Sequence, residues 1–196
     1  TEPAATDDTI AVDGALTNSG TLAAANALAV SAAGVRNSGA IAGQSDVSLA
    51  SSANLDNAAG ATVQAAGALT LDAAGALANA GTLKGTAVAL AAGNGLDNSG
   101  AISAAGGMNV RADGLIGNSG GIGAAGGLDM ADRTGGASED LRNSGQIFAG
   151  DTLTLTANAV TNTSAPGVAD SGWIQAGNAS DITAASLTNT GTWLLS

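Results

Sequence analysis

The chain has 196 residues and a net charge of −11, contains no Cys or His, and takes 47 residues from Ala and 30 from Gly. Without thiol or imidazole there is no Cys-His or Ser-His-Asp nucleophile, no disulfide and no ordinary zinc site. Five basic residues against sixteen acids exclude a phosphate-binding surface and with it a nucleic-acid partner. Ala supplies more than half of the 45% that is nominally apolar, and only 11% is charged, so the composition predicts a thin, elongated core rather than a globule or a disordered coil.

In chain order, Thr1-Glu2-Pro3 opens without the basic and apolar regions of a signal peptide. No apolar run approaches the roughly 20 residues that span a bilayer, so no membrane insertion is expected. Ile10-x-Val12 has the alternation of a strand and reads as the end of a partial coil over residues 1–15. From residue 16 to 196 one unit then recurs. Leu16-x-Asn18-x-Gly20-x-Leu22 is its first full copy, followed by Val35-x-Asn37-x-Gly39-x-Ile41. The next copy, Leu55-Asp56-Asn57, carries one extra residue before Gly60. The unit returns around Asn79, Asn98, Asn118 and Asn143, is interrupted after Asn162, and closes as Leu187-x-Asn189-x-Gly191-x-Trp193. Successive Asn positions lie 19, 20, 22, 19, 20, 25, 19 and 27 residues apart, a base period of 19–20 with localised insertions.

Between these Asn turns lies a second half-unit, Leu28-x-Val30, repeated as Val47/Leu49, Leu69/Leu71, Val88/Leu90, Met108/Val110, Leu128/Met130 and Leu153/Leu155. Ala favours helices, but apolar spacing of i, i+2 and an Asn-x-Gly break every 20 residues do not fit one. The Leu-x-x-Leu-x-Leu-x-x-Asn order of a leucine-rich repeat is also missing. The pattern predicts an all-β parallel β-solenoid of about nine coils stacked at about 4.8 Å. Leu16, Leu22, Ala24, Leu28 and Val30 should face inward, and Thr17, Thr21, Ala23 and Ala29 outward. Asn18, Asn37, Asn57, Asn79, Asn98, Asn118, Asn143, Asn162 and Asn189 should form a structural turn ladder, each amide stacked on the next. The Gly two residues on provides close backbone approach or positive φ. Small residues at the following corner, from Ala24 and Gly43 to Ala149 and Ala176, form a second ladder.

Leu-x-Asn-x-Gly-x-Ile-x-Ala followed by Leu-x-Leu-x-Ala resembles the roughly 20-residue filamentous haemagglutinin repeat over about residues 10–195. The resemblance implies a right-handed parallel β-helix in a large exoprotein of a Gram-negative two-partner secretion system, either an adhesin or the stick protein of contact-dependent growth inhibition. It implies an outer-membrane secretion partner, a secreted or cell-surface location and a rigid filament. It transfers no catalytic residue, and no cofactor or metal is expected.

Departures from the repeat mark the candidate sites. One ladder position places Arg36 and Asp56 one coil apart, an ordinary surface ion pair rather than a catalytic pair. An insertion near 132–140 begins at Asp132, where the repeat has an inward Ala, so that corner should open; Glu139 and Asp140 fall within it. A second insertion, near 163–170, contains Pro166. The alternation points Phe148 and Trp173 outward in adjacent coils and Trp193 inward. Phe148, Trp173, Glu139 and Asp140 are therefore the candidate partner-binding residues, for a host or bacterial receptor or a glycan. Asp7-Asp8 and Ser138-Glu139-Asp140 lack the Gly-Gly-x-Gly-x-Asp pattern of calcium-binding repeats. The net charge favours a soluble monomer.

Overall fold

Alternating Leu, Val and Ile make each apolar segment a strand with one buried side, and the turns between them close a coil. The computed structural model describes residues 6–165, 167–168 and 171–195, and these form twenty-three strands with no helix. Pro166 and the opening Thr1-Glu2-Pro3, named above, and residues 169 and 170 of the second insertion lie outside the described residues.

Each coil has three sides. The first carries the Leu-x-Val half-unit, as in Val47–Ser51 and Ala68–Ala73; the second ends on the ladder Asn, as in Leu55–Asn57 and Ala76–Asn79; the third follows it, as in Thr62–Ala65 and Thr82–Gly85. In four coils the first two sides are one bent strand: Asp8–Asn18, Leu28–Asn37, Thr152–Asn162 and Ala179–Asn189. These bent strands join the first and second faces into one 14-stranded sheet, while the third face is a separate sheet of nine strands. Every pairing is parallel and joins equivalent positions one coil apart, such as Leu49↔Leu71, Leu71↔Leu90 and Leu90↔Val110.

The core is one narrow column. A single inner coil buries Leu69, Leu71, Ala73, Leu77 and Leu83 completely, each Leu contributing about 1.5–3 kcal/mol. The corner ladder Ala24, Gly43, Ala65, Gly85, Ala104, Ala124, Ala149 and Ala176 is buried throughout. A Cβ on Gly85 would sit 2.7 Å from the Ala87 carbonyl oxygen, which is why the light composition is a requirement here. In the terminal coils the inward residues are less covered: Leu16 and Leu22 are half-buried and Leu187 is exposed. Trp193 is half-buried, packed against the core opposite Ile174.

The Asn side chains build a continuous ladder inside the second corner. Each Nδ2 donates to the Oδ1 of the next coil's Asn at 2.7–2.9 Å, from Asn18 to Asn37 through to Asn162 and Asn189. Asn98 is fully buried, and its Nδ2 also reaches the carbonyls of Gly100 and Gly121 at 3.3 and 3.1 Å. The Gly of Asn-x-Gly serves close approach: a Cβ on Gly100 would fall on the Gly81 carbonyl, whereas no φ in the left-handed range occurs at Gly39, Gly81, Gly100, Gly120 or Gly145. The third coil shows the exception. Gly60 takes φ 78° in a turn two residues longer than Asn-x-Gly rather than one, and Ala61, not Gly60, fills the position that Gly holds elsewhere.

The first insertion is shorter than the sequence suggests. The first-face strand Leu128–Ala131 ends, the chain leaves at Asp132, and pairing resumes in Ser138–Asn143. Glu139 and Asp140 therefore lie in a second-face strand and not in the inserted loop. Ser138 is buried opposite Ala157, and Asp140 pairs with Ala159; that strand pairing continues the sheet three residues before the repeat motif becomes recognisable at Leu141.

Candidate functional site

Three features depart from the repeating coil. The first is the loop after Ala131. Asp132 leaves the inward Ala position and its Oδ1 accepts hydrogen bonds from the backbone N–H groups of Thr134 and Gly136 and from the Thr134 hydroxyl, at 2.7, 2.7 and 2.8 Å. The Thr134 hydroxyl first, and then these backbone donors, hold the Asp132 carboxyl below its ordinary range. Arg133 then runs back along the bend between the first and second faces. Its backbone N–H donates to Asp113 Oδ1 one coil back, and its guanidinium reaches Asp72 Oδ1 at 2.9 Å and the Ala73 carbonyl at 3.2 Å, three coils back. A 430 Å³ hollow beside it is lined by Asp13, Ser31, Ser52, Asp72 and Arg133.

Charge elsewhere is arranged in local pairs. Arg36 meets Asp56 at 3.6 Å, one coil apart, with both side chains well exposed. Arg142 meets Asp140 at 3.2 Å, and Arg111 meets Asp129 in the next coil. Each is a surface contact worth at most about 1 kcal/mol. Among the described residues no group of three acids converges as a metal site would require.

The second feature is the segment after Asn162. Ser171 Oγ ties it together, accepting from the Ala165 backbone N–H and donating to the Val168 carbonyl, both at 2.8 Å. Val168 and Ser171 stand beside Gly120, Gly121, Gly145 and Gln146, over the corner that leads into the third face.

The third feature is the outer surface of that face, where Phe148 and Trp173 project. They sit on Gln146–Ala149 and Trp173–Ala176, paired in parallel with Gln146 opposite Trp173 and Phe148 opposite Gln175. Two aromatics and two amides thus alternate on the corners of a small rectangle around a 260 Å³ hollow. Phe148 is 39% exposed, and among the described residues none of either insertion lines the hollow. The Trp173 indole N–H donates to Gln175 Oε1 at 3.3 Å, fixing the ring. The sequence reading named the two aromatics and missed Gln146 and Gln175, although the same alternation places both outward. Glu139 and Asp140, grouped with the aromatics by that reading, belong to the other sheet.

A family model of the haemagglutinin repeat matches the chain five times, over residues 4–59, 40–100, 96–137, 131–165 and 167–196. No curated protein and no solved structure matches it.

Proposed function

The chain belongs to the haemagglutinin repeat family, and from that membership we propose that it is a non-enzymatic structural segment of a large secreted or cell-surface filament. It acts as a rigid spacer, in adhesion or in contact-dependent toxin delivery, within an exoprotein that a Gram-negative cell exports through an outer-membrane partner. The observation that carries this reading is the unbroken coil-to-coil register: the same Asn bond joins every successive pair of coils. Such a rod is quasi-one-dimensional, and each coil contacts only its neighbours. Length is then a modular property, as a spacer needs, and the recurring positions hold Leu, Asn, Gly and Ile.

The test is removal of one coil. Deleting residues 80–98 joins Asn79 to Ser99 and keeps the ladder in phase. A bacterial filament with this deletion should keep its adhesion or delivery function, and the isolated chain should still melt cooperatively. Loss of function from a folded, surface-displayed deletion variant would refute the spacer role.

A second reading, a receptor- or glycan-binding segment, is supported by one observation: Phe148 and Trp173 are adjacent on an outer face, and no described residue of either insertion lines the hollow between them.

A further inference from the structure

The third face has a property that the other two lack. Among the described residues, its nine strands carry one charged side chain, Lys84, although the chain has sixteen acids. The described acids lie on the first and second faces, at the corners and in the first loop. Most outward positions of the third face hold Ala, Gly, Ser or Thr; besides Gln64, Lys84 and Leu194, the last of these opposite Gln175, the larger outward side chains are Gln146, Phe148, Trp173 and Gln175 on two successive strands. The strand on the Phe148 side, Gly121–Ala124, presents Gly121 and Gly123 outward, with nothing within 4 Å of the space a Cβ would take. The flank of the Phe148 ring is therefore open.

From this placement we propose that the Gln146–Phe148–Trp173–Gln175 rectangle is a subsite for one ring of a neutral pyranose sugar. The proposal rests on the second reading above and gives it a ligand class. The face of an aromatic ring is electronegative, and the C–H face of a pyranose presents weakly positive hydrogens to it. Gln146 offers an amide donor and an acceptor, and Gln175, whose Oε1 already accepts from the Trp173 indole, offers its NH2 and a second lone pair to adjacent sugar hydroxyls. The diagonal between Phe148 and Trp173 is about 7–8 Å, so one ring lies over an aromatic while its hydroxyls reach an amide. The 260 Å³ hollow is below the roughly 300–1,000 Å³ of an enclosed small-molecule pocket and suits a single open-sided ring.

Charge selects the neutral sugar. Lys84 stands three strands before Phe148 in the same ladder, or about 14 Å at the β-sheet spacing. That exceeds the Debye length of about 8 Å at physiological ionic strength. A sialylated or sulfated sugar would find no countercharge here.

The test begins with the 196-residue chain on an array of neutral, sialylated and sulfated oligosaccharides. Lactose, cellobiose and sialyllactose are then titrated into ¹⁵N-labelled protein. The chain has two Trp residues, so Trp193 is an internal control for Trp173. Binding should be weak, with Kd of about 1 mM for a single ring of −4 kcal/mol class. A neutral disaccharide should shift the Trp173 indole and the Gln146 and Gln175 side-chain amides and leave the Trp193 indole in place. Phe148→Ala and Gln175→Ala should each weaken binding about 3- to 10-fold, and thermal melting of the same samples checks that both remain folded. Preference for sialylated or sulfated sugars would overturn the neutral-ligand proposal while leaving a binding segment. Absence of any shift at Trp173, Gln146 or Gln175 in the lactose, cellobiose and sialyllactose titrations, carried to about tenfold above a Kd of about 1 mM, would overturn the sugar subsite and the glycan half of the reading it rests on. Neutral binding that persists in folded Phe148→Ala and Gln175→Ala proteins would overturn the assignment of this rectangle.

Discussion

Replacing Asn98 by Ala isolates what the ladder contributes. Asn98 is fully buried, accepts from Asn79 Nδ2 at 2.7 Å and donates to Asn118 Oδ1 at 2.7 Å. The Ala variant removes both bonds and strands the Asn118 oxygen and one Asn79 N–H inside a corner closed to water. Each unsatisfied buried group costs about 1–3 kcal/mol, so the loss for two is about 2–6 kcal/mol. Asn98→Asp sharpens the test. Its carboxylate would set an oxygen against Asn118 Oδ1, and burial raises its folded pKa above the ordinary value of about 3.9. A raised folded pKa means that the protonated form is stabilised, so the deficit is greatest at neutral pH. It shrinks as pH falls through the folded pKa, where the new O–H donates to Asn118. Guanidinium unfolding of wild type, Asn98→Ala and Asn98→Asp at pH 7 and pH 4 measures both effects as differences from wild type. A loss under about 0.5 kcal/mol for Asn98→Ala, below the usual range of one hydrogen bond, or an Asn98→Asp deficit that does not change with pH, would refute the ladder argument.

Two further predictions concern the turns. Gly100→Ala should destabilise the rod by about 1–3 kcal/mol through overpacking, since its Cβ would meet the Gly81 carbonyl; Gly20→Ala, at the equivalent turn of the first coil with nothing within 4 Å, should be near neutral. Equal melting temperatures for the two variants would contradict the close-approach reading. At Asp132, hydrogen bonding lowers the folded pKa below 3.8, so its stabilisation of the loop is present above that value and is lost as pH falls through the lowered folded pKa. Amide exchange at Thr134 and Gly136 should be slow at pH 5 and accelerate, relative to the rest of the chain, only in stronger acid. Asp132→Asn should raise exchange at both amides already at pH 5, and unchanged exchange there would contradict the assignment.

The repeat made the fold legible because a solenoid writes one local rule many times. Period-two alternation fixes which side of each strand is buried, so Leu71, Leu77 and Leu83 could be assigned inward from spacing alone, and Phe148 and Trp173 outward. The nine Asn positions fixed the coil length even where insertions stretched it to 25 or 27 residues. What stayed hidden depends on contacts without a period. Nothing in the sequence links Arg133 to Asp72, 61 residues earlier; only coil stacking brings them together. The start of Ser138–Asn143 was hidden for a similar reason. Ser138 and Leu141 are both buried three residues apart, which breaks the alternation that would have identified Glu139 and Asp140 as strand residues. At the candidate site the aromatics stood out by type, while Gln146 and Gln175 were masked by their similarity to ordinary surface residues. Their significance comes from facing Trp173 and Phe148 across one strand spacing.

The central claim is a stiff rod with one uniform step per coil, and spin-label distances test it most directly. The chain has no Cys, so Cys pairs can be introduced without background labelling. Thr21, Ala101 and Thr192 occupy the same outward ladder position, four and eight strand steps apart. At about 4.8 Å per step, Thr21→Cys with Ala101→Cys should give a backbone separation of about 19 Å, and Thr21→Cys with Thr192→Cys about 38 Å. After allowance for the label arms, electron-electron resonance should return two narrow distributions in that twofold ratio. Distances that fail to double, or a broad distribution for the longer pair, would contradict the rod.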